Sequence, residues 1–277
     1  MSARVYLLTE GVHDVFFLGK ILTESLQLRR VQEAKKLDEE WSHIVPKAFP
    51  HEGSLRPSVP CPTFYKSTRA SVAIVNADGI DRLGKRLRAH HEVLVNHGVH
   101  LDAVGVVLDA DFDQARQKTP EQRVAELADV FTSLNLPRPS TAEIVAGTPR
   151  TGIFVMPGGG AQGTLEDIML ECASVVYPTL GCRAVRFVDG LDRSASDFLV
   201  KELEEIRKPS GRHKAVLAAM SAVLKPGKPI QASIEDHRWI EPRTLTLPRV
   251  AAVLRFLQQL LGDAPPSAVE TTSAGAL

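Results

Sequence analysis

The chain has 277 residues, 44% of them apolar, which is enough for one sizeable core with an elaboration. The 33 lysines and arginines balance the 33 aspartates and glutamates, so no global positive field indicates a nucleic-acid partner. The three cysteines lack CxxC spacing, so the sequence indicates neither a disulfide framework nor a zinc knuckle.

The first half of the sequence alternates between strand and helix patterns. A strand over residues 4–9 and a helix over residues 12–28 flank Glu10 and Gly11. Residues 29–70 are charged and then proline-rich, which is typical of an insertion that leaves the core. The alternation then resumes with strands at 71–76, 103–108 and 152–156 and helices at 79–96 and 120–134. Such alternation predicts an α/β fold with a mainly parallel sheet flanked by helices.

The second half of the sequence is predicted to be helical. The glycine loop PGGGAQG leads into a helix from about Thr164, and further helices are predicted at 195–207, 214–224 and 248–261. We therefore expect an α/β core over residues 1–186, with its insertion at 29–70, and a helical extension over 187–262 that packs on the core. The small and polar residues at 263–277 predict a disordered tail.

The sequence also bears on location in the cell. The N-terminal residues lack the basic-then-apolar pattern of a secretory signal, and no window approaches the roughly 18 apolar residues of a membrane span. We therefore expect a cytoplasmic protein that does not enter a membrane.

Acidic residues follow three of the predicted strands. In an open parallel sheet, ligands bind beyond the carboxyl ends of the strands, where the chain turns into the next helix. The acidic residues found at such positions are Glu10, Asp109, Asp111, Asp113, Glu166 and Asp167. We expect these side chains to meet at one edge of the sheet.

The spacing of these residues favours a shared metal ion. Asp14 lies four residues after Glu10, so both carboxylates point to the same side of the entering helical turn. Asp109, Asp111 and Asp113 alternate in a DxDxD run, which directs them to one side in an extended chain. Carboxylates this close would repel each other unless a divalent cation such as magnesium or manganese neutralised them. Each motif alone is equally typical of a helix cap or a surface turn.

The motifs LLTEGVHD and VVLDADFD resemble the Toprim signature. The stretch MPGGGAQGTLEDIMLE is similar to small uncharacterised Toprim proteins related to the overcoming-lysogenization-defect nucleases. The resemblance implies a Rossmann-like parallel core that holds two Mg²⁺ or Mn²⁺ ions and hydrolyses phosphodiester bonds. It places Glu10 near the scissile phosphate and makes Asp109 and Asp111 metal ligands.

The nuclease branch of that family implies further site residues. Asp14 matches its second acidic position, and Glu166 is our choice for the glutamate that completes a second metal site, with Asp167 as a substitute. Lys214 is our candidate for the basic catalytic residue that those nucleases carry in a later helix. A solvated lysine at a helix start is the alternative reading.

The sequence departs from the nuclease family in two respects. The 29–70 insertion has no place in the family pattern, and no GxxxxGK[ST] phosphate loop is present, since PGGGAQGT lacks the lysine. An ATPase would therefore be a separate partner, as expected of a defence effector assembled from two chains. Related nucleases also imply a homodimer.

Basic residues provide candidate contacts for a nucleic-acid backbone. Arg82, Lys85 and Arg86 lie on the predicted helix after Gly79, and Arg212 lies in the RKPSGRHK stretch. A charge run of this kind is equally typical of a solvated helix surface.

Three functions remain open on the sequence. The first is a metal-dependent nuclease acting on DNA or RNA by a two-metal mechanism. The second is a primase-like nucleotidyl transferase that uses the same carboxylates, although it would usually need a zinc-binding part. The third is a non-catalytic module that binds metal or nucleic acid.

Overall fold

The structure of the protein is a computed structural model that describes residues 2–47, 61–110, 118–141, 143–191 and 198–263. Its centre is a six-stranded sheet with the strand order β2-β3-β4-β1-β5-β6. The strands are β1 (Ala3–Thr9), β2 (Arg29–Val31), β3 (Thr63–Lys66), β4 (Ala70–Asn76), β5 (Ala103–Asp109) and β6 (Arg150–Met156). The helices are α1 (Val12–Leu26), α2 (Leu83–Asn96), α3 (Pro120–Ser133), α4 (Leu165–Val176), α5 (Pro178–Asp189), α6 (Glu204–Arg207), α7 (Gly211–Leu224), α8 (Ile230–Asp236), α9 (Pro242–Leu245) and α10 (Pro248–Leu261). The predicted α/β class is therefore confirmed.

Four of the strands run parallel to each other. β1 pairs with β4 on one side and with β5 on the other, and β6 pairs with β5, all in parallel register. β1, β4 and β5 are almost wholly buried, because helices cover both faces of the sheet.

The core is divided by the sheet into two hydrophobic clusters. In β1, Val5 and Leu7 belong to the cluster that includes residues of α1, α4 and α10. Tyr6 and Leu8 belong to the cluster on the other face, which includes residues of α2 and α3. Successive side chains of a strand point to opposite faces, so one continuous apolar run supplies both clusters.

The predicted insertion does not leave the core in its described parts. β2 and β3 extend the sheet beyond β4 in antiparallel register, and short 3₁₀ helices lie at Ala34–Lys36 and Glu39–Ile44. Trp41 is buried and donates a hydrogen bond from Nε1 to Ser71 Oγ of β4 at 2.8 Å. This part of our prediction was wrong, because a buried aromatic residue anchors the segment to the sheet.

The C-terminal region is helical, as predicted. Val253, Leu257 and Leu260 of α10 are buried in the same cluster as Val5 and Leu7 of β1, so this helix covers the sheet. The sequence did not predict α5, α8 or α9. None of the helices in the described ranges combines the length and apolar character needed to cross a bilayer.

Candidate functional site

The order of the strands creates a crevice at the carboxyl edge of the sheet. β1 lies between β4 and β5, so the chain leaves β1 first toward one neighbour and later returns on the other side. Ligands of open α/β sheets bind where the strand order reverses in this way. Glu10 follows β1 directly and Asp109 ends β5, which places both residues at this crevice.

The turn from β1 into α1 is fixed by hydrogen bonds. The Thr9 hydroxyl donates to the carbonyl oxygen of Gly11 at 3.1 Å, and the Gly79 N–H donates to the carbonyl oxygen of Glu10 at 3.0 Å. Asp14 Oδ2 accepts a hydrogen bond from the Gly11 N–H at 2.7 Å, which caps the helix. These bonds hold the backbone beneath both acidic side chains.

Asp109 is tied to the first turn of α4. Its Oδ1 accepts a hydrogen bond from the Leu165 N–H at 3.0 Å. The next residue, Ala110, donates its N–H to the carbonyl oxygens of Met156 and Gly163 at 2.8 and 3.1 Å. The end of β5 is thereby joined to both ends of the glycine loop, and α4 starts beside Asp109.

These elements enclose an acidic cavity of about 250 Å³. Four carboxylates from three chain segments line it, together with a histidine, a lysine and apolar side chains. The lining residues are Glu10, Gly11, His13, Asp14, Asp109, Leu165, Glu166, Lys214, Leu217 and Ile230. Four of the acidic residues singled out from the sequence therefore share one cavity with Lys214.

Glu166 is the most deeply buried glutamate of this cavity. Its side chain belongs to the first turn of α4, and the residue is 5% exposed. Its Oε2 has no hydrogen-bond partner in the described part of the chain. A buried carboxylate oxygen without a partner is costly, so this atom indicates a ligand that the protein alone does not supply.

Burial and neighbouring charges shift the protonation of two residues in the cavity. The pKa of Asp14 is raised to about 8, mainly by removal from water and in addition by the negative charges of Glu10 and Glu166. The hydrogen bond from Gly11 and the positive charge of Lys214 act in the opposite direction. Burial also lowers the pKa of His13, which favours the neutral imidazole. A cation in the cavity would stabilise the ionised form of Asp14.

The donor set of the cavity suits a hard divalent cation. Carboxylate oxygens are the ligands that magnesium and manganese prefer, and the bare Oε2 of Glu166 is one such donor. In the described residues, however, no three His, Cys, Asp or Glu side chains stand close enough together to hold a metal ion. Ion binding would have to draw these carboxylates together.

Two predicted ligands have no described position. Asp111 and Asp113 of the DxDxD run lie outside the described residues, and only Asp109 of that run is placed in the cavity.

Asp167, the predicted substitute for Glu166, does not line the cavity. Its Oδ2 accepts a hydrogen bond from the Thr164 N–H at 2.8 Å, and its Oδ1 lies 3.0 Å from His213 Nδ1. The structure therefore gives Asp167 the role of a helix cap.

The predicted nucleic-acid contacts lie outside the cavity as well. Arg212 forms a bidentate ion pair with Asp189, in which both N···O distances are 2.7 Å. Arg82 forms an ion pair with Asp78 at 2.5 Å. Lys85 is exposed and Arg86 is half-buried on α2. Of the predicted basic residues, Lys214 alone is among those that line the cavity.

His13 is a cavity residue that sequence reasoning missed. It lies between Glu10 and Asp14, and it points into the same space as both. A single histidine in a helical turn is usually a surface residue, so composition gave no signal. The position of His13 three residues after Glu10 could have indicated it, because residues three apart lie on the same side of a helical turn.

Fold and cavity together define an α/β protein with an acidic site at the carboxyl edge of a mainly parallel sheet. The chain belongs to the family described as "Protein of unknown function (DUF3226)", whose model matches residues 4–262. No curated protein matches it. Among solved structures it is similar to the hypothetical protein PH0156 from Pyrococcus horikoshii OT3, with 17% identity, a TM-score of 0.47 and coverage of 93% of this chain and 95% of that one. These names carry no activity, so the Toprim resemblance stays a prediction.

Proposed function

We propose that the protein is a divalent-metal-dependent nuclease that hydrolyses phosphodiester bonds in the acidic cavity. The observation that carries the proposal is the convergence of Glu10, Asp14, Asp109, Glu166 and Lys214 on one cavity of about 250 Å³. The residues come from the ends of β1 and β5 and from the first turns of α1, α4 and α7. Such a mixture of carboxylates and one cation suits a phosphate held through metal ions.

Each residue has a distinct task in this proposal. Asp14 and Asp109 each accept a backbone N–H through one carboxylate oxygen, which holds each side chain in place at the cavity. Glu166 contributes its Oε2 atom, which has no hydrogen-bond partner in the described part of the chain, as a metal ligand. Bound divalent cations would supply charge stabilisation on the phosphate and make an attacking water easier to deprotonate.

The remaining residues act on the reacting groups. Glu10 is positioned to accept a proton from the attacking water, and the ammonium group of Lys214 offsets the negative charge that builds on the phosphate oxygens. Leu217 and Ile230 form an apolar wall that limits access of water. We propose that the protein acts as a defence effector in the cytoplasm, with a separate ATPase as partner and as a homodimer.

Cleavage assays test the proposal directly. Supercoiled plasmid, single-stranded DNA and transfer RNA are incubated with magnesium, manganese or EDTA. We expect metal-dependent cleavage by the wild type and a loss of about 100-fold or more in Glu10→Ala and Glu166→Gln. Glu171→Gln is the matched control, because Glu171 lies on the same helix as Glu166 but does not line the cavity.

The outcomes separate the competing functions. Equal cleavage by the wild type and both cavity variants would overturn the site. Extension of a strand with nucleoside triphosphates would indicate nucleotidyl transfer by the same carboxylates. Metal binding that depends on Glu166 without any cleavage would indicate a binding module.

A further inference from the structure

A second and larger cavity, of about 560 Å³, lies next to the acidic one. Asp109 lines the acidic cavity, and the next residue, Ala110, lines the second. The other walls come from β6, α3, the glycine loop and α10. Adjacent residues of one chain segment therefore line the two cavities, which places the cavities side by side.

The floor of this cavity is aromatic and aliphatic. Phe154 of β6 and Phe256 of α10 both line it, with ring centroids 5.4 Å apart and planes inclined at 49°. Ile144, Ile153 and Val155 add aliphatic surface. Phe154 and Val155 are only half-buried: each packs in part against one of the two hydrophobic clusters, and each also lines the cavity.

The glycine loop forms one wall of the cavity with its backbone. Gly158, Gly159 and Gly160 have φ angles of +96°, +64° and +73°, which favour glycine. A Cβ atom at Gly158 would lie 3.2 Å from Phe154 Cζ and 3.9 Å from Ala252 Cβ, so the loop lies close to both residues. A Cβ at Gly159 or Gly160 would meet no atom within 4 Å. At these three positions the loop therefore offers peptide groups, not side chains, to a ligand.

The charged and polar side chains of the cavity favour an uncharged ligand. Glu121, Glu143 and Arg255 contribute two negative charges and one positive charge, an arrangement that disfavours a phosphate. Gln162 and Gln259 add amide groups that both donate and accept hydrogen bonds. A mainly apolar pocket with a few such groups is typical of small-molecule sites.

We propose that this cavity binds a nucleoside, the base and sugar of the polynucleotide whose phosphate enters the acidic cavity. The proposal rests on the proposed function, since it assigns the substrate of that same site. The base stacks on Phe154, and its hydrogen-bonding edge faces the glycine-loop peptides and the glutamine amides. The acidic cavity takes the charged phosphate, and the second cavity takes the uncharged remainder.

Isothermal titration of free nucleosides tests the proposal without metal or catalysis. Adenosine, guanosine, cytidine and uridine are titrated separately into the wild type in EDTA, and we expect saturable binding of at least one. Ala252→Phe fills the cavity beside Gly158 and should weaken binding about tenfold or more. Its matched control is Ala251→Phe, which places the same ring on α10 at a position that does not line the cavity.

A second pair of variants protects the test against a folding defect. Gln259→Ala removes one lining amide and should weaken binding several-fold, whereas Gln258→Ala, its neighbour outside the lining, should not. Circular dichroism establishes that each variant is folded.

The results separate this proposal from the nuclease proposal. Cleavage that depends on Glu166 together with no nucleoside binding by the wild type would overturn the nucleoside site and leave the nuclease standing. Equal binding by the wild type, Ala252→Phe and Gln259→Ala would also overturn it. Nucleoside binding that Ala252→Phe abolishes and Glu166→Gln retains would support the site, even if no substrate is cleaved.

Discussion

Asp14 combines a structural and a chemical role in one carboxylate. It is 4% exposed, its Oδ2 caps α1 through the Gly11 N–H, and it lines the acidic cavity. The i,i+4 spacing from Glu10 predicted that the two side chains share a side of the helix. The spacing did not predict burial, because the surroundings of Asp14 include residues distant in sequence, such as Glu166 and Lys214, which line the same cavity.

We predict that Asp14→Asn stabilises the metal-free protein increasingly as the pH rises. An aspartate in the unfolded chain ionises near pH 4, whereas burial raises the pKa of Asp14 in the folded protein to about 8. Between these values the folded protein binds the extra proton, so the wild type loses stability as the pH increases. Asparagine avoids this loss, and its amide oxygen can still accept the Gly11 N–H. The two pKa values set an upper limit of about 5 kcal/mol on this advantage at pH 8.

Urea unfolding in EDTA at pH 4.5 and pH 8 measures this difference. Asp129→Asn is the control, since Asp129 is an exposed carboxylate of α3. Wild-type and Asp14→Asn stabilities that change in parallel with pH would contradict the prediction.

Lys214 should have opposite effects on metal affinity and on catalysis. Its ammonium group attracts the carboxylates of the cavity but repels a metal ion bound among them. Lys214→Ala should therefore tighten manganese binding by roughly two- to tenfold and lower kcat by about 100-fold. Titration calorimetry and single-turnover cleavage measure the two quantities.

Lys208→Ala provides the control for this charge removal. Lys208 precedes α7 and pairs with Glu205, away from the cavity lining. A Lys214→Ala variant that loses metal affinity and activity together would indicate a structural role for the lysine.

At the scale of elements, the sequence predicted the four parallel strands but not the two antiparallel strands, β2 and β3. β1, β4, β5 and β6 each have seven residues that are mostly apolar and mostly buried between the helices on the two faces of the sheet. β2 and β3 have three and four residues with partly exposed ends, and charged or proline-rich sequence surrounds them. β3 is a strand because it pairs with β4, and β2 because it pairs with β3, and no local sequence pattern indicates either pairing.

The start of α4 illustrates how two adjacent acidic residues acquire different roles. The sequence LED left open which carboxylate faces the site. Glu166 lines the cavity, whereas Asp167 caps the helix. Gly163 allows this cap, since its φ of +142° favours glycine and a Cβ there would lie 2.7 Å from Asp167 Oδ2.

We predict that Asp167→Ala destabilises the fold without weakening metal binding. The Thr164 N–H loses its acceptor and His213 loses its partner, which should cost about 0.5–2 kcal/mol. Urea unfolding measures the stability, and manganese titration measures the site. The complementary variant, Glu166→Gln, should weaken manganese binding with little effect on the cap. Loss of metal binding in Asp167→Ala at unchanged stability would instead make Asp167 a ligand.

At the scale of the whole molecule, the sheet joins segments that the sequence keeps apart. The crevice lies between β1 and β5, whereas β2 and β3 lie on the far side of β4. On the sequence, residues 29–70 read as an excursion because their composition is charged and proline-rich. The described part of this segment instead contributes the buried side chains of Trp41, Ile44 and Phe64 to the core.

We predict that Trp41→Ala destabilises the entire fold while leaving the chemistry of the folded protein unchanged. Trp41 is 1% exposed, its ring centroid lies 6.4 Å from that of Phe64, and its Nε1 donates to Ser71 Oγ. Truncation of a buried tryptophan typically costs about 3–5 kcal/mol. Trp41→Phe keeps most of the volume and loses the hydrogen bond, so it should cost about 1–2 kcal/mol.

Urea unfolding of the two variants separates the stability contributed by packing from that contributed by the hydrogen bond. Metal-dependent cleavage, measured well below the melting temperature, tests whether the acidic cavity still functions. Because Trp41 bonds to Ser71 near the amino end of β4, whereas the crevice lies at the carboxyl edge of the sheet, the cleavage rate per folded molecule should equal that of the wild type. A cost below about 1 kcal/mol for Trp41→Ala would mean that the segment is separable from the core after all, since an exposed side chain has little effect on stability. A large cost with unchanged cleavage would place the segment in the scaffold and confine the chemistry to the edge formed by β1, β5 and α4.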